Sequence, residues 1–264
     1  MIKRTLKNVW SPQLRNRRDV DVYLPSSYTS GVHYPVVYMK DGQNLSDPST
    51  AFADTWDLAA TIDRLHWRGI DAIYVGVHNG GRRRLAEYSP FPDPRHGGGE
   101  ADTSLAFLVE TLQPRIDRMF NTRRDRESTA ILGSSMGGLV SLYAYFRYPS
   151  VFGRAGVMSP SIWFGQGAIV DFIRDARVSR GRVYLDVGTG EGAGTVRDVR
   201  RLGRLLVRKG FRRRRPVAQV FSDADGERRS STSSTLRYVE DAGARHTEAA
   251  WAWRLQGAIE FLLA

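Results

Sequence analysis

The sequence predicts an α/β fold built from crossover-connected strands. Three observations carry this. Apolar runs of four to eight residues recur along the chain, stretches of helical period separate them, and no segment has linker composition or internal repetition. At 264 residues, 41% hydrophobic and 25% charged, the chain sits near the upper size for one hydrophobic core. A single domain over 1–264 is therefore expected.

Taken in order, the runs at 20–24, 35–39, 72–77, 129–132, 155–158, 183–187, 217–221 and 236–239 read as strands. The first two are close enough to pair as an antiparallel hairpin edge across the turn-rich 25–31 segment. Helical patterns fall at 56–64, 104–118, 138–147, 196–209 and Glu248–Leu263. Pro114 implies a kink or an early stop in the second of these. Two polar stretches, 92–100 with its three consecutive glycines and 222–234, read as surface loops that could lie over a site.

The absence of cysteine excludes disulfide frameworks, thiolate nucleophiles, zinc ribbons and iron–sulfur sites. The formal charge is +11, yet only four of the 39 basic residues are lysine. An arginine bias spread along the whole chain reads as genome composition, not as a nucleic-acid footprint, which concentrates charge on one face or tail. The N-terminus is basic without a following apolar core, and no window of 18 apolar residues occurs. Neither a nucleic-acid nor a membrane partner is expected, and a cytoplasmic location is the default.

The chemistry concentrates at Gly133-Ser134-Ser135-Met136-Gly137-Gly138. This G-x-S-x-G sequence lies between a strand pattern and a helical one, where a serine on a sharp turn needs its neighbours two residues away to lack side chains. About 0.2 matches are expected by chance, so the strand-to-helix context carries the assignment of Ser135 as nucleophile. A serine hydroxyl needs a base, and in the chain order serine, acid, histidine only His246 follows Ser135. His33, His66, His78 and His96 all precede it.

The acid is expected in the loop after strand 183–187, where Glu191 can turn toward His246 and fix its tautomer. Asp186 is the rival, more suited to satisfying backbone donors within the strand; Asp198, Asp223 and Asp225 remain behind it. For an oxyanion hole, Met136 N–H at the helix start is one donor. The loop after 35–39 offers the Gln43 N–H as the second, with Gly42 as alternate. Asp41 there is expected to order the turn.

These residues resemble the putative esterase family, which includes esterase D, enterobactin esterases and feruloyl esterases of carbohydrate esterase family 1. The resemblance rests on Tyr38-Met39-Lys40-Asp41-Gly42-Gln43-Asn44, the stretch from Asn79 through Arg84 to Pro90, the Ser135 elbow, the Tyr184 to Glu191 segment and His246-Thr247-Glu248-Ala249-Ala250-Trp251. It spans nearly the whole chain in the right order. It implies an α/β-hydrolase fold, a mostly parallel sheet of about eight strands with helices on both faces, and a triad of Ser135, Glu191 and His246 that needs neither cofactor nor metal.

Three departures from the family pattern stand out. Lys40 occupies a position that is histidine in many relatives, the acid is glutamate where many have aspartate, and the 212–234 segment is longer than usual. The expected substrate is a small-molecule ester: a short acyl, hydroxycinnamoyl-sugar or siderophore-type ester. Lys40, Asp41 and Arg84 are the substrate-contact candidates, and the positive charge draws Arg84 and the 212–215 arginine run toward an anionic substrate. Acyl transfer to a sugar hydroxyl is the alternative activity, and a non-catalytic nucleic-acid scaffold a distant one. Exposed aromatics at Trp163 or Trp251 are candidates for a dimer contact, though either also suits a core or pocket.

Overall fold

A computed structural model describes residues 1–51, 53–214 and 234–264. Among them lie nine strands in one sheet. These are β1 (Ile2–Ser11), β2 (Asn16–Leu24), β3 (Val36–Lys40), β4 (Ile73–Val77), β5 (Thr129–Ser134), β6 (Arg154–Met158), β7 (Arg182–Gly188), β8 (Arg212–Arg214) and β9 (Thr235–Asp241). The order is β1-β2-β4-β3-β5-β6-β7-β9-β8, antiparallel at β1–β2 and β2–β4 and parallel from β4 through β8. The strand expected at 217–221 and nearly all of the 222–234 loop lie outside the described residues.

The central strands bury both faces. Val36, Tyr38, Val75 and Ile131 join one cluster, which packs against α4 (Gln113–Met119), α5 (Met136–Arg147), α6 (Ala168–Asp175) and α7 (Ala193–Arg208). Val37, Met39, Tyr74 and Leu132 join the other, beneath α1 (Leu58–His66) and α8 (Glu248–Leu263). Successive strand side chains point to opposite faces, so an unbroken apolar run fills both layers at once.

The sheet expected at about eight strands has nine among the described residues, and the expected hairpin edge differs. The strand at 20–24 does not pair with 35–39: β2 is flanked by β1 and β4, while β3, buried at every residue, sits between β4 and β5. The tight turn at 12–15 supplies β2 with its hairpin partner instead. β1 itself carries no apolar alternation because most of it is exposed. Its basic residues and a register shift between Leu6 and Val9 protect an open sheet edge.

At Pro114 the helix continues in altered form. After α3 (Ala101–Ala106), residues Phe107–Leu112 wind as a π-helix, and α4 then restarts with Pro114 in its first turn, where a missing N–H costs least. Among the described residues no helix is long and apolar enough to cross a membrane.

One buried ion pair ties the antiparallel end of the sheet to the helix layer. Arg18 on β2 makes two hydrogen bonds, 2.9 and 3.0 Å, to Glu87 on α2 (Arg84–Tyr88), and both side chains are essentially inaccessible. Glu87→Ala leaves an uncompensated guanidinium and is expected to cost about 3–5 kcal/mol in urea unfolding. Arg18→Met combined with Glu87→Leu, which removes both charges, recovers most of that loss.

Candidate active site

Lys40 to Gln43, Ser135, Met136, Asp186, Glu191 and His246 lie at or just beyond the carboxyl ends of β3, β5, β7 and β9, and Arg84 opens α2 after β4, at the edge where open α/β sheets place their ligands; Asp198 sits within α7, and Asp223 and Asp225 lie outside the described residues. β5 runs into Ser135, whose backbone sits at φ 55° and ψ −121°, outside the regions an L-residue favours. Residues that share the turn hold it there. A Cβ on Gly133 would lie 2.7 Å from the Gly137 backbone, and one on Gly138 would lie 2.8 Å from the Met158 carbonyl oxygen. Ser135 N–H donates to Met158 O at 3.0 Å, and the Ser135 carbonyl accepts from Ser161 N–H at 3.1 Å.

The Ser135 hydroxyl lies 2.9 Å from His246 Nε2 and 3.2 Å from Ser161 Oγ. His246 Nδ1 is 2.8 Å from Glu191 Oε2. His246 precedes α8 and is half-exposed, packed edge-on against Trp251 with ring centres 4.9 Å apart. Glu191 closes the short turn Thr189–Glu191 after β7, and its carboxylate is 1% exposed. Burial opposes its ionisation, but hydrogen bonds from His246, from the Ser159 hydroxyl at 2.6 Å and from Gly188 N–H at 2.8 Å outweigh it. They hold the carboxyl below the ordinary glutamate value.

Asp186, the rival acid, does not reach His246. It is fully buried, accepts the Ser159 N–H at 2.9 Å, and lies 3.0 Å from Arg254 Nε in a Coulombic contact without hydrogen-bond alignment. Burial pushes its carboxyl up to about 6 against the opposing charge of Arg254.

The oxyanion candidates lie on adjacent loops. Met136 opens α5, and the first N–H groups of a helix have no intrahelical acceptor. Gly42 and Gln43 form the short turn Gly42–Asn44 after β3. The two loops are adjacent, since a Cβ on Gly137 would lie 3.2 Å from Lys40 Cβ and 3.4 Å from Asp41 Oδ2. Gly42 is packed so closely on the Gly76 backbone that no side chain fits.

Asp41 at φ 58° orders this loop. Its carboxylate is held by Arg84 at 2.7 and 2.8 Å and by Asn79 Nδ2 at 2.7 Å, and its N–H donates to the Tyr88 hydroxyl. Lys40 is buried behind the loop with Nζ 4.3 Å from the centre of the Tyr88 ring. Burial, with Arg18 nearby, lowers its ammonium to about 8. Arg84 stands at the rim, its charge already matched by Asp41.

The 212–215 run does not join the site. Arg212–Arg214 pair with the amino-terminal half of β9, at the sheet edge away from Ser135, and Arg215 lies outside the described residues. The 92–100 loop is tied down by an Asp93–Gly97 bridge, a Gly99 N–H bond to Ser89 Oγ and the packing of His96 on Trp163. Of the two tryptophans, Trp251 is buried beside His246 and Trp163 is 53% exposed. Among the described residues no group of three or more His, Asp and Glu converges as a metal site.

The sequence reading gave no role to Ser159, Ser161, Asn79 or Arg254, naming Asn79 only as the start of the stretch that runs to Pro90. The first two follow β6 in Met158-Ser159-Pro160-Ser161, and the run of small polar residues around a proline at a strand's carboxyl end is the one signal that could have singled them out.

With this geometry in place, the putative esterase family profile matches residues 11–262. The chain belongs to the putative esterase family. Ester hydrolysis is its reaction class. It is 29% identical over 194 residues to the uncharacterized protein YbbA of Bacillus subtilis, covering 71% of this chain and 74% of that one. It is 27% identical over 184 residues to the iron(III) enterobactin esterase of Dickeya dadantii, covering 68% of this chain but only 38% of that enzyme. The BES protein of Bacillus cereus superposes with a TM-score of 0.74 at 21% identity, covering 99% of this chain and 95% of that one, a likeness of fold.

Two outcomes follow from the packing. Gly133→Ala forces Cβ onto the Gly137 backbone and is expected to cost about 1–3 kcal/mol in chemical denaturation, with a greater proportional loss of activity as the elbow shifts. Asp186 has a folded value above its unfolded one, near 4, so the folded state holds an extra proton between the two. Its contribution to stability is fully present below pH about 4 and is lost as pH rises through 6. Urea midpoints measured from pH 4 to 7 should show that decline in the wild type, and Asp186→Asn should flatten it.

Proposed function

We propose that the chain is a serine ester hydrolase that works through an acyl-enzyme. The observation that carries this reading is the unbroken contact chain Ser135 Oγ–His246 Nε2, His246 Nδ1–Glu191 Oε2, at 2.9 and 2.8 Å. Ser135 Oγ attacks the acyl carbon while its proton passes to His246 Nε2. Glu191 stabilises the imidazolium so formed. The carbonyl oxygen becomes an oxyanion held by the Met136 and Gln43 N–H groups, with Gly42 N–H as alternate to the second. Collapse expels the alkoxide, which takes the proton from His246. A water, deprotonated by the same nitrogen, then releases the acid and restores the Ser135 hydroxyl.

Ser161 supports this cycle at the resting stage. If the Ser135 hydrogen points to His246, the 3.2 Å contact with Ser161 must run from the Ser161 hydroxyl to Ser135 Oγ, which selects the rotamer aimed at the base. The positive-φ elbow adds to the same end, because a strained backbone lifts Oγ clear of the sheet.

For substrate, the reading is a carboxylic ester of a short acyl, hydroxycinnamoyl-sugar or siderophore type. The likeness to an iron(III) enterobactin esterase supports the last of these. Specific recognition of an anionic group by Arg84 has less support, since Asp41 already holds its guanidinium by two hydrogen bonds.

The test is steady-state hydrolysis of chromogenic short-chain, feruloyl and catecholate esters by wild type and Ser135→Ala. The wild type should turn over at least one ester, and the variant should lose about 10³-fold or more in kcat. Full activity in Ser135→Ala would sink the serine mechanism. Product analysis with and without a sugar acceptor separates hydrolysis from acyl transfer, which shares the first half-reaction.

A further inference from the structure

Ser159 lies one layer behind the acid and has no part in the reaction as written, yet four side chains from three elements converge on it. It follows β6 with φ 41°, a left-handed backbone unusual for serine and here followed by Pro160. Its N–H is held by both the Oδ1 and the main-chain oxygen of Asp186, at 2.9 and 3.1 Å. Its hydroxyl oxygen has three neighbours: Trp251 Nε1 at 3.1 Å, Arg254 Nη2 at 3.0 Å and Glu191 Oε1 at 2.6 Å.

The direction of these bonds is not free. Indole and guanidinium nitrogens are donors only, so Trp251 and Arg254 occupy both lone pairs of Ser159 Oγ. One hydrogen is left, and Glu191 Oε1 is the acceptor within reach. Oε1 also receives the Gly188 N–H at 2.8 Å. A proton on Oε1 would meet two donors and find no lone pair on Ser159 to accept it. The remaining oxygen, Oε2, is the one at His246 Nδ1.

We infer that Ser159 is a positioning residue for the Glu191–His246 pair: locked by Trp251 and Arg254 into donating its only hydrogen, it keeps Glu191 ionised and turned with Oε2 on His246 Nδ1. The inference rests on the serine-hydrolase reading for its catalytic consequence, but not for its hydrogen-bond content. The charged groups around Glu191 agree with it. His246 faces Oε2 and Arg254 Nη2 lies 3.9 Å from Oε1, while the neighbouring carboxylate of Asp186 is matched by Arg254 Nε at 3.0 Å. Arg254 also reaches Asp241 at 3.2 Å, so one buried guanidinium from α8 holds three carboxylates in register around the serine.

The experiment uses Ser159→Gly in the full chain. Glycine accepts φ 41° at no steric cost, so the variant loses the hydroxyl without adding backbone strain. Nitrogen-15 NMR of labelled histidine, at a pH where the ring is neutral, should show wild-type His246 protonated at Nδ1 and bare at Nε2, with a low-field Nδ1 proton from its bond to Glu191. In Ser159→Gly that proton signal should move upfield and exchange faster with water. In the same variant kcat should fall by about 10- to 100-fold with KM within about twofold, the scale seen when a group that orients a reacting side chain is removed.

A wild-type His246 protonated at Nε2 overturns the inference. So does Ser159→Gly with unchanged kcat and an unchanged Nδ1 proton, the result expected if Arg254 simply swings onto Oε1 or if Ser159 only supports the backbone. The two readings fail separately. Activity surviving in Ser135→Ala removes the serine mechanism, while the NMR readouts still decide whether Ser159 directs the Glu191–His246 bond.

Discussion

The structure around the site depends on keeping one carboxylate ionised where water scarcely reaches. Taking a carboxylate out of water costs several kcal/mol even after relaxation, and hydrogen bonds to a charged group return about 1.5–3 kcal/mol each. Glu191 therefore needs several donors, and it receives them from three directions: the backbone at Gly188, the hydroxyl of Ser159 and the ring of His246. Each donor must in turn be fixed. That requirement reaches outward through Ser159 to Trp251 and Arg254, and so to α8, which covers one face of the sheet. The C-terminal helix thus carries a charge into the site's foundations as well as apolar side chains into the core.

The same logic of offset cost governs the backbone. Ser135 and Ser159 both hold positive φ, each a strain of about 1–3 kcal/mol, and both stand at the carboxyl ends of neighbouring parallel strands. They are cross-braced. The Ser135 N–H bonds to the residue before Ser159, and the Ser135 carbonyl accepts from Ser161. Close approach of Gly133, Gly137 and Gly138 completes the brace on the helix side, so the position of Ser135 is set by packed backbone and owes little to flexible side chains.

What could be read from the sequence follows from what periodicity and motif can encode. Strands β3 to β7 were legible because they are buried on both faces and show as unbroken apolar runs. β1 was not, since an exposed edge strand selects for charge and carries no such run. The placement of β3 between β4 and β5 was also hidden, because local turn propensity says nothing about a partner reached through a helix. Ser135, His246 and Glu191 could be picked out because elbow chemistry and chain order constrain them strongly. Ser159 and Arg254 were much harder to pick out: the small polar run Ser159-Pro160-Ser161 is the one hint of the first, and one arginine among so many is invisible until its three carboxylates are seen around it.

The arginine excess takes a different meaning once placed in space. Several of the arginines nearest the site already have a carboxylate: Arg18 with Glu87, Arg84 with Asp41 and Arg254 with Asp186. These pairs join elements distant in sequence, β2 to α2, α2 to the β3 loop and α8 to β7. The charge there serves to fix carboxylates, and through them loops, more than to attract ligand. Lys40 fits the same pattern. Its ammonium rests on the Tyr88 ring while the Tyr88 hydroxyl accepts the Asp41 N–H, so the position just before the Gly42–Asn44 turn is spent on holding that turn in place.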